Sequence, residues 1–482
     1  MVVLVVVAAG LFAWRGGGDT RALAARGVPS RPVLEGWPPE LEARLRAEED
    51  AIFGRRDPVA ALATLAGLYH ANGFYAEAQQ AYGALQELQP REPRWPHRSA
   101  HIHAVFGELD QAIPLWEKVT QLAGDYLPAQ VRLGDALLKA GRPADAAAAY
   151  QAVVQREANN GYARLGLARV DIARDDWSSA RPKLEQVAQL TEGLLGADLL
   201  ATAYERTGEP RRGAALRARQ KSHGLYVGPA DPWVDELMAD CYDPYRLALE
   251  SGTSRIRQEE TRTRQLLDRA LQLAPDDANL HFQAGSHAEQ VGDANRARSE
   301  LQTAVRLDPS LTDAWAALVR VLAATGDTQG SWRTLTEALA ANPDSPVLLL
   351  ERGRRFKAQG RTDAAIADLR RVTRLRRDEA LAFVELASLY FAQDRTAEGI
   401  AVLEQGLEAE PGHPAALAIL TFASIVSGDR TRADRWFREV LDQPRVTAPE
   451  VQRLQRAYQE KFGQPPPVAA SHGSVRHPSL EG

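Results

Sequence analysis

Residues 275–309 read PDDANLHFQAGSHAEQVGDANRARSELQTAVRLDP, and residues 309–343 read PSLTDAWAALVRVLAATGDTQGSWRTLTEALAANP. Pro275, Pro309 and Pro343 stand 34 residues apart, and Pro411 follows two periods later with Arg377 in the vacant slot. A fixed period of this length is the mark of a chain built from stacked supersecondary units. With the proline slot set as position 32, five units begin at residues 278, 312, 346, 380 and 414. Four more, in their own frame, begin at 59, 93, 127 and 161.

The nine units agree at positions with physical meaning. Position 15 holds Gly73, Gly107, Gly141, Asp175, Gly292, Gly326, Gly360, Asp394 and Gly428. Glycine or aspartate there marks a tight turn that needs positive φ or a local side-chain hydrogen bond. Position 20 holds only small residues, among them Ala78, Ala146, Ser331, Ala365 and Gly399, so two helices can approach closely. Position 24, four residues on and on the same helical face, is always large and apolar: Tyr82, Trp116, Tyr150, Leu184, Leu301, Leu335, Leu369, Leu403 and Phe437. Position 8 is small in all but Val319 and Thr421.

This pattern resembles the tetratricopeptide repeat family. The resemblance implies an all-α fold, a helical-hairpin repeat solenoid in which helix A, a turn, helix B and a short link recur. It covers 59–221 and 258–447, two arrays joined by an irregular insert at 222–257. A fifth N-terminal unit near 194–221 fits after a slip of one residue, and 258–274 reads as a lone helix B that completes a sixth, distorted unit. The link proline is missing at Gly124, Ala158, Glu192, Arg377 and Arg445.

Outside the repeats, Val2–Trp14 is an unbroken apolar run, short for a membrane span of about 20 residues but of the length of a signal core. Residues 1–14 are therefore expected to be a signal or membrane-anchor segment, which would attach the chain to a membrane if uncleaved. Residues 15–58 read as a linker plus one amphipathic helix near Pro39–Phe53. Arg15, Arg21, Arg26 and Arg31 follow the apolar run, and by the positive-inside tendency they favour a cytoplasmic body. The signal-like length favours an extracytoplasmic one, and that is the expectation adopted, with the cytoplasm as the alternative. Residues 448–462 read as a capping helix, and 463–482, with four prolines, as a disordered tail.

Composition narrows the function. The 482 residues carry a formal net charge of −5, so no bulk electrostatic drive onto nucleic acid exists. The single cysteine, Cys241, excludes an internal disulfide and a cysteine-based zinc site. No phosphate-binding loop, dinucleotide fingerprint or nucleophile elbow occurs, and the repeats leave little chain for a catalytic domain. The expectation is a non-enzymatic protein that needs no cofactor.

Three groups of residues stand out. The resemblance implies that helix A lines a concave face where a partner docks. Arg320 and Arg354 occupy position 9 of adjacent units and Lys357 position 12, in a unit (346–379) with ten Lys/Arg and five Asp/Glu. These cations could seat an acidic segment, or form a solvated face paired with Glu351 and Glu385. The family's Lys/Asn carboxylate clamp is not reproduced. His97 and His101, four apart on one helical face, could hold a transition metal with Asp135 as a third ligand, or be a histidine pair on the inner wall. Trp233, in Asp231-Pro232-Trp233, is either a partner-binding residue or part of a plug that fills the joint between arrays.

Together these features predict a scaffold or adaptor at an extracytoplasmic membrane face, binding a protein segment in its groove. The alternatives are a rigid accessory subunit of a secretion, polysaccharide-export or electron-transfer assembly, and a metal or small-ligand binder using the His97/His101 face.

Overall fold

The computed structural model describes residues 20–54, 57–190, 196–219, 227–410, 412–443 and 446–467. Among these residues the regular elements are all helices. They form antiparallel hairpins in the expected register, for example Pro58–Ala71 with Tyr75–Leu88, Leu127–Lys139 with Pro143–Arg156, and Thr312–Ala324 with Thr328–Ala341. The segments at 2–14 and 468–482 lie outside the described residues.

The turn explains the period. All nine residues at position 15 have positive φ, from 58° at Asp175 to 83° at Gly326. A left-handed residue there ends helix A and lets the amide of position 16 reach the carbonyl of position 11. This bond recurs in every unit, as in Phe74 N to Tyr69 O at 2.9 Å and Arg395 N to Tyr390 O at 2.9 Å. Glycine adopts that conformation without a Cβ clash, and aspartate tolerates it better than most residues.

Packing explains the other columns. Ala78, Ala112, Ala146, Ala180, Ala297, Ser331, Ala365 and Ala433 at position 20 are fully buried. So are Tyr82, Tyr150, Leu301, Leu335, Leu369, Leu403 and Phe437 at position 24. Tyr150 shows how tightly the hairpins close: an ideal Cβ built on Gly134 would sit 2.6 Å from its ring, and one on Gly166 2.4 Å. Its hydroxyl donates to Asp135 Oδ1 at 2.8 Å.

The helices group into two compact units. The first runs to Gly208 and resumes at Gln220–Leu280. Here the helix Pro39–Phe53 buries Leu41, Leu45 and Ile52 in one cluster with Leu62, Leu65 and Tyr69 of the first hairpin. The second unit takes Glu209–Arg219 and His281 onward. In it the helix Ala448–Phe462 opens with a reciprocal Thr447/Glu450 capping box and packs Leu454 and Tyr458 on Phe437 and Val440.

Residues 227–257, the described part of the insert, are less irregular than expected. They contain the helix Pro244–Ile256, which pairs with Glu260–Leu273 around a left-handed Gln258 (φ 61°). Glu259 N donates to Ser254 O at 2.9 Å, the same bond as in the regular turns. Residues 258–274 are therefore not a lone helix B. The pattern was hidden because glutamine holds the place of the turn glycine. This hairpin belongs to the first unit because Leu237, Cys241, Leu247, Leu266 and Ala270 share one buried cluster with Ala71.

Candidate functional site

The first unit brings together residues far apart in the chain. The second repeat supplies His97 and Arg98 from the helix Arg94–Val105. The link to the third supplies Tyr126, and its helix Leu127–Lys139 supplies Arg132. The segment 231–236 lies across them. The Asp231 carboxylate has its two oxygens 3.0 and 2.9 Å from His97 Nε2. It accepts the Tyr126 hydroxyl at 2.7 Å and has Arg132 Nε 3.6 Å away. Tyr126 in turn accepts Trp233 N at 3.1 Å, and the Tyr126 and Trp233 rings stack at 3.5 Å and 5°. Arg98 Nε donates to Trp233 O at 2.7 Å, and its guanidinium also pairs with Glu236.

Burial opposes ionisation of Asp231, but the hydrogen bond from His97, the Arg132 guanidinium and the Tyr126 hydroxyl outweigh it and hold the carboxyl well below its ordinary range. An ionised carboxylate only accepts, so the facing His97 Nε2 carries the hydrogen. Burial, reinforced by Asp231, pushes the Tyr126 hydroxyl well above its ordinary value. The group is thus a satisfied carboxylate in a cationic and aromatic pocket.

Farther along, the insert returns to the first repeat. Asn72 Nδ2 donates to Asp240 O at 3.0 Å, and Asn72 Oδ1 accepts Tyr242 N at 2.6 Å. Arg246 Nε donates to Ala71 O at 2.9 Å. Cys241 is buried, and burial raises its thiol pKa, so it is an unreactive core residue.

His97 is fully buried with its Nε2 against Asp231, so it is not half of an exposed histidine pair. His101 instead lies 5.6 Å from His70, ring to ring. Burial, with help from Arg132, pushes its imidazole down to about 3, and burial with His101 pushes His70 well below 6.5. Asp135, the third ligand considered, accepts Tyr150 and Arg169 Nη1, the latter at 2.7 Å. Among the described residues no three His, Cys, Asp or Glu side chains are grouped to hold a metal ion. Trp233 rests on Tyr126 and His97 within the first unit. Arg98, Tyr126 and Arg132 were not singled out by sequence, although Arg98 and Arg132 both occupy position 6 of consecutive units. That recurrence was the available signal.

The three basic residues singled out in the second unit are partly exposed: the side chains of Arg320, Arg354 and Lys357 keep 55%, 40% and 39% of their accessible surface. Arg320 donates to both oxygens of Glu289 in the preceding unit, at 3.1 and 3.0 Å. Arg354 and Lys357 share Glu385 of the following unit, at 3.6 and 2.6 Å, and Lys357 also reaches Ser388 Oγ at 2.9 Å. The three cations thus lean in two directions. Glu351 pairs with Arg355.

Comparison with known proteins adds the following. Models of the tetratricopeptide repeat match residues 137–202, 282–346 and 356–421. The chain is 29% identical over 143 residues to cellulose synthase 1 operon protein C of Komagataeibacter xylinus, covering 28% of this chain and 10% of that one. It is 33% identical over 94 residues to small glutamine-rich tetratricopeptide repeat-containing protein 2 of Mycosarcoma maydis, covering 20% of this chain and 27% of that one. The chain thus spans about a tenth to a quarter of the length of these relatives. Among solved structures it is similar to yeast Tom70 (15% identity, TM-score 0.38, 84% of this chain and 96% of that one). It is also similar to the Cut9–Hcn1 hetero-tetramer (13% identity, TM-score 0.36, 87% of this chain and 93% of that one).

Proposed function

We propose that this chain, a protein of tetratricopeptide repeats, is a non-enzymatic scaffold that docks an acidic partner segment on the helix A surface of its C-terminal array. The observation that carries the reading is the exposure of Arg320, Arg354 and Lys357 at repeated helix A positions. Their present partners, Glu289 and Glu385, keep 28% and 21% of their side-chain surface, and the cations themselves are more exposed. Such surface pairs are worth about 0–1 kcal/mol, so an incoming acidic segment can exchange with Glu289 and Glu385 at little cost. The arginine fork suits bidentate capture of a carboxylate.

We place this scaffold at an extracytoplasmic membrane face, on the strength of the apolar run Val2–Trp14. Among the described residues no helix is long and apolar enough to cross a membrane. A second reading, an accessory subunit of a polysaccharide-export assembly, is favoured by the relatives named cellulose synthase operon protein C.

The test is to recover the partner by affinity capture and measure its affinity at two salt concentrations. Arg320→Ala with Arg354→Ala should weaken binding tenfold or more without loss of helical content, and the wild-type affinity should fall as salt rises. Equal affinities for wild type and the double variant would reject this face. For location, a fusion of residues 1–60 to a reporter active only outside the cytoplasm should be active, and a silent fusion would reject the placement.

A further inference from the structure

The insert has two parts with different chemistry. From Leu237 onward it is anchored in the core: Leu237, Cys241 and Leu247 are buried among apolar side chains. Residues 231–236 are held differently. Asp231 is buried, but no residue of Pro232–Asp235 is, and Pro232 and Glu236 are exposed. The contacts are those by which one chain recognises another: a carboxylate in a His97/Tyr126/Arg132 pocket, an arginine on a backbone carbonyl, and a tryptophan stacked on a tyrosine.

The packing around the segment is also open. A hollow of about 780 Å³ lies between Pro232, Asp235, Glu236 and the Gln258–Arg262 turn. A structural filler would be close-packed there. Only polar ties cross the hollow: Asp235 pairs with Arg262 at 3.4 Å and Arg257 at 3.7 Å.

We propose that residues 231–236 are an internal ligand, occupying a recognition pocket on the second and third repeats that binds a protein segment with an acidic residue two positions before an aromatic one. A partner presenting that pattern displaces the insert's tip, while the part from Leu237 onward stays in the core. The tip is then a built-in competitor that sets a threshold for binding. This surface is separate from the basic face of the C-terminal array and does not depend on it.

The experiment uses the full chain and a fluorescent peptide copying residues 228–237. Asp231→Ala with Trp233→Ala empties the pocket. This variant should keep its far-UV circular dichroism and bind the peptide at least tenfold more tightly than wild type. A peptide with lysine in place of the aspartate should bind at least tenfold more weakly. Adding Arg98→Ala and Tyr126→Ala to the emptied variant should abolish binding. The proposal is overturned if the emptied, folded variant does not bind the peptide, if wild type binds equally well, or if the lysine peptide binds as tightly. Loss of helical content in the emptied variant would also overturn it, because the segment would then be a structural element.

Discussion

Gly166→Ala should destabilise the first unit, although alanine is the better helix former. In an exposed helix the exchange gains up to about 1 kcal/mol. At Gly166 the new Cβ would meet Tyr150 Cε1 and Cζ at 2.4 Å, well inside van der Waals contact. The ring has little room to yield, since it is fully buried and Gly134 lies against the same ring atoms. Overpacking of this kind costs about 1–3 kcal/mol. A ring that moves also strains its hydrogen bond to Asp135, worth about 1 kcal/mol. The costs exceed the gain, and the net expectation is a loss of about 1–3 kcal/mol. Gly83→Ala and Gly252→Ala are the controls: both glycines lie within helices, and a Cβ there meets nothing within 4 Å. Those two should be neutral or stabilising by up to about 1 kcal/mol. Urea melts followed by far-UV circular dichroism give all three values. If Gly166→Ala is as stable as wild type, or if all three glycines respond alike, the packing argument is wrong.

Ala146→Leu and Ala365→Leu place a larger side chain where helix B is fully buried, and thermal melts should show a loss of about 1–3 kcal/mol for each. Acid should destabilise the first unit in a defined window. His70 and His101 are held neutral below their ordinary value of 6.5, so the unfolded chain takes up protons first as pH falls through 6.5. Stability is full above that value and declines toward about 3, the folded value of His101. Between pH 7 and 5 His101 alone should account for about 2 kcal/mol, read as the part of the urea-midpoint loss that His101→Gln removes while the His70 part stays. Asp231, held low in the folded state, adds a further loss once pH drops below its ordinary 3.8.

The 34-residue frame, its turns and its packing columns were legible in the sequence because each rests on short-range geometry. A left-handed residue at position 15 closes a hairpin, and positions 8, 20 and 24 meet within that hairpin or its neighbour. A period states these contacts directly. The pairing of Arg320 with Glu289 is 31 residues long, within one period, and the same index could have yielded it. Where the frame breaks, no period says where the chain goes next. Asp231 meets His97 across 134 residues and Arg98 meets Glu236 across 138, contacts that depend on how the stacked repeats present their inner side chains in space. The sequence by itself therefore determined the repeats, whose energetics are local. Only the tertiary structure decided that His97 serves a carboxylate and that the insert lies on the first array, because both follow from long-range docking.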